Sequence, residues 1–211
     1  MATHSIINFP LTSYKNFIFD FAGVLFHCDY IKFVTQAFPI HTNHQALVDV
    51  IFNSKLFSDY DKNLIDTEEL TLHLVKALNC QPRQIDCLIA AIKEYMVPIE
   101  EMVLFLHELK EKQVKLYGLT NMPKPIFNHL IENYSFLNLF EDITVSAHLG
   151  LTKPDLAIYQ HVLSKNEIDP RKTIFIDDRL VNLPPAEQLG IKAFLYTNIR
   201  QLVTDLRNAM R

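Results

Sequence analysis

Four short runs constrain this chain most. FIFDF (Phe17–Phe21), VKLYGL (Val114–Leu119), TIFID (Thr173–Asp177) and IKAFLY (Ile191–Tyr196) are apolar, β-branched or aromatic, and too short for helices. They read as buried strands. A weaker fifth candidate, Ile143–Ser146, lies between the second and third. From Pro98 onward, helical segments separate them. Pro98-Ile-Glu-Glu opens one helix with a proline and acids at the positive end of the helix dipole. Met102, Phe105, Leu106 and Leu109 then share a face at i, i+3, i+4, i+7. Pro154–Lys165 opens the same way. This alternation predicts an α/β fold: a Rossmann-like parallel sheet covered by helices on both faces.

The stretch between Phe21 and Pro98 breaks the alternation. It has no clear strand, but helical runs around Ile31–Phe38, Gln45–Phe57, Asp66–Leu78 and Pro82–Tyr95. Asp66-Thr-Glu-Glu is a capping-box variant. So many helix signals do not fit a loop. The expected organisation is a catalytic core of residues 1–26 and 98–211, with a helical cap of residues 27–97 inserted after the first strand.

Composition narrows the function classes. At 49% hydrophobic, the 211 residues can form a real core and are not mainly disordered. No apolar run approaches the ~20 residues of a membrane helix, and residues 1–16 lack the pattern of a secretion signal. A cytoplasmic protein with no membrane partner is expected. The net charge of -4 comes from mixed acids and bases without a basic stripe, which argues against nucleic acid. Cys28, Cys80 and Cys87 match neither a disulfide framework nor a zinc spacing, and the nine histidines form no HExxH. No signal sets the oligomeric state; a monomer or weak dimer is the expectation.

Ligands of an open α/β sheet bind at the carboxyl ends of its strands. The first strand ends in Asp20-Phe-Ala-Gly-Val, the second in Leu119-Thr120-Asn121, and the Thr173 strand in Asp177-Asp178-Arg179. Gly150-Leu-Thr-Lys153-Pro-Asp155 stands before a helix. Singly, such residues are caps, turn formers or exposed lysines. Together they bring three carboxylates, a hydroxyl and an ammonium to one edge. Of only four glycines, Gly23 and Gly150 sit beside these groups, where backbone must approach a ligand, while Gly190 reads as a helix C-cap. Three close carboxylates repel one another unless a cation joins them, and hard oxygen ligands select Mg²⁺. A carboxylate can attack phosphorus, a metal and Lys153 can neutralise the transferring phosphoryl group, and Thr120 can donate a hydrogen bond to its oxygens.

The segments Phe17-Ile-Phe-Asp20-Phe-Ala-Gly-Val-Leu25, Leu119-Thr120-Asn121, Lys153-Pro154-Asp155 and Ile176-Asp177-Asp178 resemble the four motifs of haloacid dehalogenase-like hydrolases. The helical insertion is similar to the small cap of the subfamily that holds haloacid dehalogenases and β-phosphoglucomutases. KPDLAIYQHVL and IFIDDRLVNLPPAEQLGIKAFLY look most like the bacterial glucose-1-phosphate phosphatase branch. The likeness spans about residues 15–200 and is most specific in the C-terminal half. It implies a Mg²⁺-dependent phosphatase of a small phosphorylated metabolite, such as a sugar phosphate. It makes Asp20 the nucleophile and a metal ligand, and Asp178 a direct metal ligand. Asp177 would be a second acid, as ligand or behind one. Thr120 and Asn121 would bind phosphate, the latter by backbone or side chain. Lys153 would orient both phosphate and nucleophile, and Ala22 would lend its carbonyl to the metal.

Ala22 is the departure. Most phosphatases of the superfamily carry a second Asp there as general acid/base. Without it, alkyl phosphates, whose leaving groups are basic, should turn over slowly unless another residue supplies the proton. Three readings follow: a phosphatase protonated from elsewhere, a phosphonoacetaldehyde hydrolase-like enzyme with a cap lysine as Schiff base, or a feebly active binding protein. Dehalogenases, which need no metal, fit the Asp177-Asp178 pair poorly. His27 is a candidate for the missing acid, and also an ordinary polar hairpin residue. Lys55 is the lysine for the Schiff-base reading, and also an ordinary solvated one. Tyr60-Asp61-Lys62 is a candidate substrate contact, or a plain loop.

Overall fold

The computed structural model describes residues 6–11 and 13–210. Part of the N-terminal stretch judged free of a secretion signal, residues 1–5 and 12, lies outside the described residues. Strand β1 (Asn16–Phe19) is followed by α1 (Tyr30–Ala37), α2 (His44–Phe52), α3 (Lys55–Asp61), α4 (Thr67–Leu78) and α5 (Pro82–Tyr95). Alternation then sets in: α6 (Glu100–Glu111), β2 (Lys115–Thr120), α7 (Lys124–Asn133), β3 (Asp142–Val145), α8 (Ser146–Leu149), α9 (Leu156–Lys165), β4 (Thr173–Asp177), α10 (Leu183–Gln188), β5 (Lys192–Leu195) and α11 (Ile199–Ala209). The five strands form one parallel sheet in the order β3-β2-β1-β4-β5. The expected α/β class holds.

Side-chain alternation along the strands builds two cores. Phe17, Phe19, Leu116, Ile174 and Ile176 pack on one face with Phe105, Leu106 and Leu109 of α6 and Leu202 and Leu206 of α11. Ile18, Tyr117, Leu119 and Phe175 pack on the other with Ile158, Tyr159 and Val162 of α9. The inner strands β1, β2 and β4 are buried on both sides, which is why their runs read as continuously apolar. The first core continues into the helices after β1 through Phe33, Leu47, Ile51, Leu70, Ile85 and Leu88.

Some expected boundaries move, each for a local reason. The run Gln45–Phe57 is two helices, because Ser54 Oγ accepts the Phe57 N–H at 3.1 Å and starts α3 afresh. Pro98 lies outside α6: it bridges to Phe26, and Ile99 N–H donates to the Leu25 carbonyl at 2.8 Å. Likewise α9 begins at Leu156, after Pro154. The first strand stops at Phe19 because Phe21 is drawn into a tight turn, its carbonyl accepting from the N–H groups of Leu25 and Phe26. The capping box at Asp66 is present in both directions. Cys28, Cys80 and Cys87 are free thiols. No helix among the described residues is long and apolar enough to cross a membrane.

Candidate active site

The central strand β1 delivers Asp20 to the carboxyl edge, where it is buried. Its Oδ1 accepts the Phe21 N–H at 2.7 Å and faces the Lys153 ammonium at 2.8 Å. Its Oδ2 takes no hydrogen bond among the described residues. The protein thus fixes one oxygen and leaves the other unengaged among the described residues.

Lys153 is buried between two acids, 2.8 Å from Asp20 and 2.7 Å from Asp177. Burial disfavours its charge, but the two carboxylates outweigh that and raise its pKa. Asn121 clamps its backbone: Oδ1 accepts the Lys153 N–H at 2.8 Å, and Nδ2 donates to the Lys153 carbonyl at 2.9 Å. The Asn121 side chain, expected as one way to assist phosphate, is occupied in holding the lysine loop.

Asp177, fully buried at the end of β4, is also saturated. Beyond Lys153 it accepts the Arg179 N–H at 2.8 Å, and both its oxygens accept from Asn182 Nδ2 at 2.9 and 3.0 Å. Asn182 escaped the sequence reading: it follows the motif at a spacing that signals nothing by itself, and its backbone is held by the Tyr159 hydroxyl at 2.8 Å.

Asp178 turns the other way, towards β1. Gly23 has φ +80°, and a Cβ there would stand 2.2 Å from Asp178 Oδ2. The glycine therefore serves a left-handed turn and makes room for the carboxylate. Ligand oxygens of Asp20, Asp177 and Asp178 lie within 4.8 Å of one another. Burial, opposed by Lys153 but reinforced by Asp177, pushes the Asp20 carboxyl up to about 7, and burial and Asp177 raise Asp178 as well. The Lys153 ammonium alone does not offset burial and the mutual repulsion of these acids. A hard divalent cation between Asp20 and Asp178 matches that donor set, and the Ala22 segment borders the same cavity. Thr120 fits a bound anion: its hydroxyl is buried without a hydrogen-bond partner among the described residues.

The cavity over these groups has a volume of about 240 Å³. Its floor carries Asp20, Ala22, Lys153 and Asp178, and its roof carries Tyr30, Phe52, Phe57 and Asp61 from α1, α2 and α3. An adjoining apolar recess runs between Phe33, Ile92, Met96, Met122 and Ile126. No sequence signal singled out the roof aromatics, because apolar residues on a helix look alike whether they face a core or a ligand. The candidate positions in the helices after β1 separate clearly. His27 is exposed and does not line the cavity. Lys55 is exposed too, and its ammonium pairs with Asp59. Tyr60 is buried against Thr67, while Asp61 faces the cavity.

Known proteins resemble this chain in sequence and fold. A family model for haloacid dehalogenase-like hydrolases matches residues 14–190. A sesquiterpene phosphatase of Aspergillus oryzae is 30% identical over 198 residues, covering 93% of this chain and 96% of that protein. A drimenol cyclase of Aspergillus calidoustus is 26% identical over 194 residues, 90% of this chain but 35% of that longer protein. A haloacid dehalogenase family enzyme from Bacteroides thetaiotaomicron, in complex with magnesium and inorganic phosphate, superimposes with a TM-score of 0.72 at 25% identity, over 87% of this chain and 94% of that one. A predicted hydrolase of the same kind from Porphyromonas gingivalis gives 0.75 at 21% identity, over 95% and 99%.

Proposed function

The chain belongs to the haloacid dehalogenase-like hydrolases, and from that premise we propose that it is a Mg²⁺-dependent phosphatase of small phosphomonoesters with an apolar organic group. The single observation that carries the reading is the Asp20–Lys153–Asp177 arrangement. It fixes one oxygen of Asp20 and leaves the other free to attack. In this reading Asp20 Oδ2 bonds to phosphorus as the ester P–O bond breaks, giving an aspartyl-phosphate and the alcohol. Water then attacks phosphorus, the bond to Asp20 breaks, and phosphate leaves. Lys153 stabilises the phosphoryl oxygens and keeps Asp20 aligned, while Asp177 and Asn121 hold Lys153. Thr120 donates its hydroxyl to a phosphoryl oxygen. Asp20, Asp178 and the Ala22 carbonyl would hold Mg²⁺, which when bound neutralises the charge of the phosphoryl group. Asp177, with both oxygens taken, acts behind these ligands.

The helices α1–α5, residues 27–97, act as a cap that selects the organic group. Phe52 and Phe57 on the roof and the adjoining recess favour an apolar ester. The relative described as a sesquiterpene phosphatase points the same way. A sugar phosphate, which the sequence resemblance suggested, would meet Asn53, Asp61, Arg179 and Asn182 in the cavity but would leave the apolar recess unused. Phosphonate cleavage through Lys55 is not favoured, since that lysine points into solvent.

The test is phosphate release from aryl and apolar alkyl phosphates with Mg²⁺, by the parent and Asp20→Asn. The parent should turn over, and intact-mass analysis after rapid quench should find a phosphoryl adduct absent from the variant. Parent turnover with no effect of Asp20→Asn would move the chemistry elsewhere; an inert parent would favour a binding protein.

A further inference from the structure

The leaving alkoxide needs a proton, and Ala22 cannot give one. Among the described residues lining the cavity, one carboxyl stands outside the Asp20–Asp177–Asp178 cluster: Asp61, the last residue of α3. Its position is set by the core. Ser146, fully buried at the start of α8, donates its hydroxyl to the Asp61 carbonyl at 2.6 Å and accepts the Met122 N–H at 2.9 Å. That ties Asp61 to the segment carrying Thr120 and Asn121. Its carboxyl makes no hydrogen bond or ion pair among the described residues, and it borders both the polar cavity and the apolar recess. An ester with phosphate at Asp20 and its organic group in the recess would have its bridging oxygen between the two, and Asp61 borders both.

We propose that Asp61 is the general acid/base that replaces the carboxylate missing at position 22. Resting on the phosphatase reading, it gives its proton to the bridging oxygen as that P–O bond breaks and the Asp20–phosphorus bond forms. It then takes a proton from the water that attacks phosphorus and releases Asp20. Burial, partly offset by Arg179, holds the Asp61 carboxyl up at about 7, where a group can both give and accept a proton near neutrality.

The experiment compares p-nitrophenyl phosphate, whose leaving group departs unprotonated, with n-octyl phosphate, in the parent, Asp61→Asn, and Asp61→Asn carrying Ala22→Asp. Asp61→Asn should lower kcat on the octyl ester by roughly 10²–10⁴-fold and on the aryl ester far less, with KM changing alike for both. Ala22→Asp should restore octyl turnover in the variant. An equal loss on both esters, or none on either, overturns the assignment of Asp61 and leaves the phosphatase reading standing. A parent inert on both esters overturns both.

Discussion

The carboxylate of Asp178 rests against Gly23, where a Cβ would come within 2.2 Å of Oδ2. The turn after β1 and the turn after β4 are thus fitted to each other. Gly23→Ala should push Asp178 off its place, on a backbone already at φ +80°. Displacing the support of a ligand typically costs roughly 10–100-fold in metal affinity. Calorimetric Mg²⁺ titration of parent and variant measures this. Equal affinity would remove Asp178 from the ligand set.

Asn182 offers a second test. Its amide satisfies both oxygens of Asp177, which in turn holds Lys153. Asn182→Ala leaves a buried carboxylate short of donors, at a cost of roughly 1–3 kcal/mol in stability. Lys153 should then shift towards Asp177, and kcat should fall with little change in KM. A variant that melts lower but keeps kcat would confine Asn182 to a structural role.

The sheet and its edge were legible because buried parallel strands leave an unmistakable signal, and because Asp20, Thr120 and Asp177 each sit at or beside a strand end, with Lys153 in the loop before α9. What was not legible lies in side-chain direction. Nothing in Asp177-Asp178 says that the first turns inward to Lys153 and Asn182 and the second outward to Gly23. Asn121 was expected to assist phosphate by backbone or side chain; nothing in the sequence says that its amide is engaged with the Lys153 backbone. In the inserted helices, Lys55 and Asp61 belong to the same helix, but α3 leaves the first in solvent and carries the second to the cavity. Helix ends moved where a serine cap or a β-bridge, both local contacts, overrode the apolar pattern.

Asp61 also makes stability depend on pH. Its carboxyl titrates at about 7 in the fold and near its ordinary 3.8 when unfolded. Between those values the folded state binds the extra proton. Stability is therefore full at acid pH, falls as pH rises through that window, and levels off above it. Asp61→Asn lacks this dependence. In metal-free buffer the variant should gain on the parent between about pH 4 and pH 7, with a constant lead above. Asp20 titrates in both proteins and cancels in the difference. Denaturant midpoints across pH measure the gap, and a pH-independent gap would mean that the Asp61 carboxyl is solvated.

The roof should set the substrate. Phe52 lies between Tyr30, tilted at 41° with ring centroids 4.5 Å apart, and Phe57, edge-on with centroids 4.8 Å apart. These rings form an apolar surface over the cavity, and the recess beyond continues it with Phe33, Met96 and Ile126. An alkyl phosphate gains little until its chain reaches that surface. From there each buried methylene is worth about 0.8 kcal/mol, or about fourfold in kcat/KM. A series of n-alkyl phosphates should therefore show kcat/KM climbing with chain length and then levelling where the recess is full. Phe57→Ser should flatten the climb for longer chains while leaving short esters near parental values, because it removes contact area and not chemistry. Met96→Phe should move the plateau to shorter chains by filling the recess. If kcat/KM is flat across the series, or if hydroxylated esters such as glycerol and glucose phosphates outrun octyl phosphate, the roof does not read an apolar group and the sugar-phosphate reading returns.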